Sequence, residues 1–266
     1  MTSQTMPSHV VPPTALTIAG SDSGGGAGIQ ADLKTFHARG VHGLSVITAI
    51  TSQNTREVTA VHAVPLTHIR SQIAAIFDDF PIAAAKTGML GNAATVRLIA
   101  RDLHRRKPAW LVVDPVMIAT SGARLLTTDA VDAMIYQLLP LADIVTPNIP
   151  EAEALLGRSI HSAKEFDQAG EAMRALGPRA VLLKGGHAEG HVVVDRFYDE
   201  RGMLELRHPR LQREGHGTGC TLASAITAEL AKGHTPRTAV RRAIAYVHRA
   251  LTRSYRPGGG PAHVLQ

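Results

Sequence analysis

Gly215-His216-Gly217-Thr218-Gly219-Cys220 brackets a threonine with two glycines, and a helix-forming run, Thr221 to Ala228, follows at once. A turn of this composition leaves several backbone N–H groups unpaired and aimed at one point, at the positive end of a helix dipole. Such a cradle suits the charge on a phosphoryl group in transfer. A glycine-rich loop before a helix is also ordinary punctuation, so the other groups the chain can bring beside it matter. Asp22 stands in Ser21-Asp22-Ser23-Gly24-Gly25-Gly26-Ala27-Gly28. Its glycines let backbone approach a flat ligand closely, and its carboxylate either meets a polar group there or caps the next helix. This turn is neither the GxGxxG fingerprint nor a P-loop ending in Lys-Ser/Thr. Gln53, in Thr51-Ser52-Gln53-Asn54-Thr55, offers a donor and an acceptor together, which suits a heterocycle edge as well as a plain loop.

Three further candidates carry charge or oxygen ligands. Asp114 closes Trp110-Leu111-Val112-Val113, where open α/β sheets place their ligands; a strand-terminating cap is the alternative. Asn148 and Glu151 in Thr146-Pro147-Asn148-Ile149-Pro150-Glu151 read as a helix cap with a first-turn acid, and both are also oxygen ligands for magnesium or its waters. Lys184 in Leu182-Leu183-Lys184-Gly185-Gly186-His187 either reaches a nucleotide phosphate or faces solvent.

Positioning these residues takes many short βα turns. Ala15–Gly20, 44–50, 82–90, 110–114, 143–145 and 180–184 are apolar runs ending in glycine or a polar group, as expected of strands buried on both faces of a parallel sheet. Helices are expected from Ile29 to Gly40, over 67–79, 92–105 and 166–176, from Thr221 to Gly233, and over 237–253. Residues 191–198 and 204–207 alternate around Asp199-Glu200-Arg201-Gly202 and read as a β-hairpin. Pro257 to Pro261 reads as a terminal loop. The fold class is α/β: a central, mostly parallel sheet flanked by helices on both faces, with a small hairpin region.

With 266 residues, 44% hydrophobic and 19% charged, the chain suits one large α/β domain over 14–266, preceded by a disordered tail over 1–13. Its formal charge of +6 is dispersed, with Arg101, Arg105, Arg106 and Lys107 on one helix and Arg237, Arg241 and Arg242 on another. No aromatic residues interleave with them, so nucleic-acid binding is not expected. One cysteine precludes an internal disulfide and suits a reducing compartment. The start has no secretory signal, and no apolar run is long enough to cross a membrane. A cytoplasmic protein is expected.

Seven blocks occur in order: AGSDSGGGAGIQADLKTF, TSQNT, KTGML, VVDPVM, TPNIPEAEALLG, VLLKGGH and GHGTGCTLASA. Together they closely resemble the hydroxymethylpyrimidine/phosphomethylpyrimidine kinases of thiamine biosynthesis, in the ribokinase-like superfamily. The resemblance runs from about Ala15 to Ala262 and leaves no room for the fused thiamine-phosphate synthase of some relatives. It implies ATP- and Mg2+-dependent phosphorylation of 4-amino-5-hydroxymethyl-2-methylpyrimidine, then of its monophosphate, by a homodimer. On that resemblance Gly20, Asp22, Ala27, Gln53 and Met89 line the pyrimidine pocket, with Gln53 on the aminopyrimidine edge and Met89 over the ring. Asp114, Asn148 and Glu151 organise magnesium and the phosphates, with Lys184 beside them. Gly217, Thr218, Gly219 and Cys220 form the anion hole, Cys220 nearest the substrate hydroxyl.

The broader superfamily usually has aspartate where this chain has Cys220. A helix start favours a thiolate there, while the charge of bound ATP opposes one. A pyridoxal/pyridoxine kinase of the same fold is the nearest alternative, and Gln53 with Met89 weighs against it. A catalytically silent nucleotide- or metabolite-binding regulator on this fold would be expected to lose Asp114, Glu151 or the GTG loop, and all are present.

Overall fold

The computed structural model describes residues 11–117, 125–186, 190–213 and 215–265. His187 and most of the expected tail lie outside them. In chain order the first half comprises β1 (Thr14–Asp22), α1 (Gly28–Ala38), β2 (His42–Gln53), β3 (Val58–Ala63), α2 (Leu66–Asp79), β4 (Ala84–Thr87), α3 (Ala93–Arg106), β5 (Leu111–Val113) and α4 (Thr128–Ala133). The second half comprises β6 (Ile144–Val145), α5 (Ile149–Leu156), α6 (Ala163–Ala175), β7 (Ala180–Leu183), β8 (Val192–Asp199), β9 (Gly202–Pro209), β10 (Gly215–His216), α7 (Thr218–Ala231), α8 (Pro236–Arg253) and β11 (His263–Val264).

Nine strands form one sheet in the order β3-β2-β1-β4-β5-β6-β7-β8-β9. β2, β1, β4, β5, β6 and β7 pair in parallel. β3 and the β8–β9 hairpin add antiparallel strands at the two edges. Strand alternation divides the core between two faces. Leu16, Ile18, Leu111, Val113, Val181 and Leu183 pack with α2 to α6, whereas Val112, Ala180 and Leu182 pack against α7 and α8. Each fully buried leucine or isoleucine contributes about 1.5–3 kcal/mol, so this two-sided core fixes the strand order and with it the strand ends. β2 and β4 flank β1, and the reversal of strand order between β1 and β4 opens a crevice at their carboxyl ends, where doubly wound sheets bind ligands.

Several elements differ from the sequence reading. β2 runs to Gln53, so Gln53 is a strand residue rather than a loop residue. β3 is an additional strand with every side chain exposed or half-exposed. α4 is also additional, and it continues through a π turn over Met134–Leu138 and a 3-10 turn over Leu139–Leu141. The terminal loop leads into β11, which pairs in parallel with β10, Gly215 opposite His263 and His216 opposite Val264. The C-terminal strand thus fastens the segment that leads into the GTG loop.

Candidate active site

The two glycine-rich loops interlock. Gly217 caps α7 with φ +77°, and a Cβ there would lie 2.0 Å from the Gly26 carbonyl oxygen. Gly28, the first residue of α1, has φ +57°, and its Cβ would lie 2.5 Å from the Gly20 carbonyl oxygen. Glycine is required at both positions, because the chain needs left-handed backbone and another main chain occupies the side-chain space. The first turn of α7 is thereby held against the end of β1, with Thr218, Gly219 and Cys220 on the same cavity wall.

On that side Asp22 is buried and collects backbone N–H groups from Gly24 (2.8 Å), Gly26 (3.0 Å) and Ala27 (2.8 Å). α1 begins after Ala27 without a side-chain cap, so Asp22 shapes the loop rather than capping the helix. Burial pushes its carboxyl up, but the His216 imidazole and the Ala27 and Gly24 N–H groups outweigh that and hold it below the usual carboxylate range. His216 Nε2 lies 2.9 Å from Asp22 Oδ2 and 3.2 Å from Gln53 Nε2, while Thr51 Oγ1 donates to Gln53 Oε1 at 3.2 Å. Gln53 thus stands within hydrogen-bond reach of both Thr51 and His216. The sequence reading quoted His216 but gave it no role; its signal was its place directly before the GTG turn. Met89 packs its thioether over Gly20, where a Cβ would be only 2.9 Å from the sulfur.

Across the GTG loop stands a charged cluster. Lys184 Nζ lies 3.4 Å from Asp114 Oδ1 and 3.8 Å from Glu151 Oε2. Burial alone would pull the ammonium down; Asp114 and Glu151 outweigh it and raise it above its ordinary value. Burial pushes the Glu151 carboxyl up, Lys184 pulls against it and Asp114 adds to the push, leaving it at about 7. Asn148 and Glu151 form a reciprocal capping box, each side chain accepting from the other's backbone N–H at 2.8 Å. The capping alternative therefore holds, while both residues still line the cavity. A Cβ on Gly219 would meet Lys184 Nζ at 3.5 Å and Asp114 Oδ2 at 3.7 Å, so the loop and the cluster adjoin.

Among the described residues no group of three or more His, Cys, Asp or Glu side chains forms a metal cage. Two carboxylates beside a glycine-rich loop at a helix start nonetheless fit magnesium, which takes one or two carboxylates with phosphate oxygens and water.

Cys220 is half-buried among these groups. Burial pushes its thiol up to about 12, with Lys86 pulling down, Asp32 and Asp114 pushing up and the Gly28 N–H pulling down. The lowering expected of a helix start is thus outweighed, because burial disfavours the thiolate more than the helix start favours it.

Gly20, Asp22, Ala27, Gln53, Met89, Asp114, Asn148, Glu151, Lys184 and Gly217 to Cys220 all line one cavity of about 970 Å³. A family model described as phosphomethylpyrimidine kinase matches residues 22–264. A hydroxymethylpyrimidine/phosphomethylpyrimidine kinase of Rhizobium meliloti (strain 1021) is 51% identical over 255 residues, covering 94% of this chain and 96% of its own. The solved phosphomethylpyrimidine kinase of Clostridium difficile 630 shares 46% identity with a TM-score of 0.80, over 90% of this chain and 99% of its own. Bacillus subtilis pyridoxal kinase, solved as an ADP complex, shares 35% identity with a TM-score of 0.87, over 95% and 98% of the two chains. Shape is common to both activities, so the TM-scores do not separate them; residue identity favours the pyrimidine kinases. With a match to that family's model extending from Asp22 to the C-terminal strand, the chain belongs to the phosphomethylpyrimidine kinase family.

Proposed function

We propose that this chain uses MgATP to phosphorylate 4-amino-5-hydroxymethyl-2-methylpyrimidine and then its monophosphate, acting in thiamine biosynthesis as a cytoplasmic enzyme with one kinase domain over 14–266. The observation that carries this reading is the GTG loop standing between two unlike halves of one cavity. One half, at the ends of β1, β2 and β4, has an amide edge and a thioether wall and suits a small flat heterocycle. The other, at the ends of β5, β6 and β7, holds Asp114, Glu151 and Lys184 and suits phosphates. Beyond Lys184 the cavity continues between β8 and α8, where Val193 of β8 and Ile244, Val247 and Leu251 of α8 offer an apolar floor for a nucleotide base.

In this reading Gln53 pairs with the aminopyrimidine edge and Met89 covers the ring, which directs the hydroxymethyl group at the first turn of α7. The loop N–H groups and Lys184 receive the charge of the transferring phosphoryl group, and Cys220 takes the hydroxyl proton. Magnesium, when bound, supplies charge neutralisation on the phosphates. Asp114 and Glu151 would hold it, with Asn148 fixing the helix start that carries Glu151. The reaction asks mostly for positioning and charge, and the cavity holds groups suited to both.

Gln53→Ala tests the pocket assignment. Losing a hydrogen-bonding amide edge costs about 1–3 kcal/mol, so the KM for the pyrimidine rises about tenfold or more while that for ATP stays within about twofold. An equal rise in both constants would remove Gln53 from the ring edge. Glu151→Gln tests the metal assignment. Glutamine also serves in a capping box, so the melting temperature changes little, whereas the half-saturating magnesium concentration rises about tenfold. Unchanged magnesium dependence with a lower melting temperature would leave Glu151 as a cap alone.

The homodimer implied by the family resemblance has a natural place at β3. This edge strand, Val58–Ala63, is uncharged and exposed, with Val61 opposite Thr51 of β2, and a second copy would cover it.

A further inference from the structure

A charged pair lies buried behind the transfer loop. Lys86, in β4, is fully buried, and its Nζ lies 2.7 Å from Oδ1 of Asp32 on α1. The same carboxylate accepts from Thr17 Oγ1 of β1 at 2.6 Å and from Ser224 Oγ of α7 at 2.6 Å. Thr17 and Lys86 are register partners, and strand alternation directs both toward α1 and α7. One carboxylate therefore joins four elements. Each of them hands residues to the site: β1 ends at Asp22, α1 follows Ala27, β4 leads to Met89, and α7 opens with Thr218 to Cys220. Ser224 lies one turn beyond Cys220 on the same side of α7, so the pair sits one turn beneath the thiol.

Stability alone is a poor reason for such a pair. Removing two charges from water costs about what their attraction returns, and an apolar replacement of similar volume is often as stable. Lys86 nevertheless carries its charge: burial pulls it down, but Asp32, then Cys220 and Asp114, raise it above its ordinary value. The groups that act on Cys220 are Lys86 from β4, Asp32 from α1, Asp114 from the end of β5 and Lys184 from the end of β7.

We propose that Lys86 is a positioning residue for phosphoryl transfer, locking β1, α1, β4 and α7 together through Asp32 and holding a fixed positive charge behind the GTG loop that favours negative charge at Cys220. The role in transfer rests on the kinase reading above; the effect on Cys220 does not.

Cys220 is the only cysteine in the chain, so alkylation by iodoacetamide reports this site alone and needs neither ATP nor pyrimidine. In Lys86→Met, alkylation at about pH 8.5 slows by about tenfold or more, as loss of a nearby opposite charge requires. The kcat falls in parallel, while both KM values stay within about twofold. Because Lys86→Met strands the Asp32 charge, the double variant Asp32→Asn/Lys86→Met is measured beside it. It removes both charges, with the amide oxygen placed to accept from the Ser224 hydroxyl and the amide nitrogen to donate to the Thr17 hydroxyl. Slower alkylation in the folded double variant supports the proposal. Wild-type alkylation there overturns it, and a lowered kcat with unchanged thiol reactivity would reduce the pair to scaffolding. A chain that fails to phosphorylate the pyrimidine but shows slowed alkylation in these variants would contradict the kinase reading and leave the charge effect standing.

Discussion

Gly217→Ala lowers kcat by about 10²-fold or more, with a far smaller loss of stability. Two separate demands meet at this residue. Its φ of +77° is left-handed backbone, which costs an alanine about 1–2 kcal/mol. In addition, the new methyl would stand 2.0 Å from the Gly26 carbonyl oxygen, so the two loops must separate. Displacement of the α7 N-terminus by about 1 Å is enough to misdirect every N–H group aimed at the transferring phosphoryl group. Gly233 supplies the control. It has φ +83°, yet nothing lies within 4 Å of the space its Cβ would fill. Gly233→Ala should therefore show the backbone cost alone: a melting temperature lower by a few degrees and an unchanged kcat. If Gly217→Ala retains a kcat within about threefold of the parent, the GTG loop is not the anion hole.

Cys220→Ser tests the proton acceptor. We expect kcat to fall by about 10²-fold, the lower range for removal of a general base, with both KM values nearly unchanged. The pH profile sharpens the test. Burial pushes the thiol up to about 12, so near neutral pH only a small fraction is thiolate. If that fraction is the base, kcat rises about tenfold per pH unit between about pH 7 and 9, and the serine variant loses that slope. A serine variant within about threefold of the parent, with the same slope, would leave Cys220 as packing against the substrate.

The sequence made most of the architecture readable, for identifiable physical reasons. Strands buried on both faces are continuous apolar runs, and β1, β4, β5, β6 and β7 all have that character. β3 lacks it: with no buried side chain, it carries no alternation to read. α4 is only six residues long before its π turn, too short to show helical periodicity. β10 and β11 are two residues each, and their pairing depends on a chain return across some fifty positions. At the site, strand-end residues were visible because type and place coincide, as with Asp114 and Lys184. His216 was hidden because its partners, Asp22 and Gln53, are far away in sequence. Lys86 did leave a mark, a lone charge inside the apolar run Ile82-Ala83-Ala84-Ala85 and Met89-Leu90. Such a residue must be paired if the strand is central, yet nothing local indicated that Asp32 was the partner.

The central claim is that the polar-edged half of the cavity selects an aminopyrimidine. Its most direct test compares kcat/KM, with saturating MgATP, for hydroxymethylpyrimidine, its monophosphate and pyridoxal. Hydrogen-bonded edges discriminate more strongly than apolar walls, so the account predicts hydroxymethylpyrimidine to be favoured over pyridoxal by at least about tenfold, with the monophosphate accepted as a second substrate. A higher kcat/KM for pyridoxal, together with no phosphorylation of the monophosphate, would contradict it.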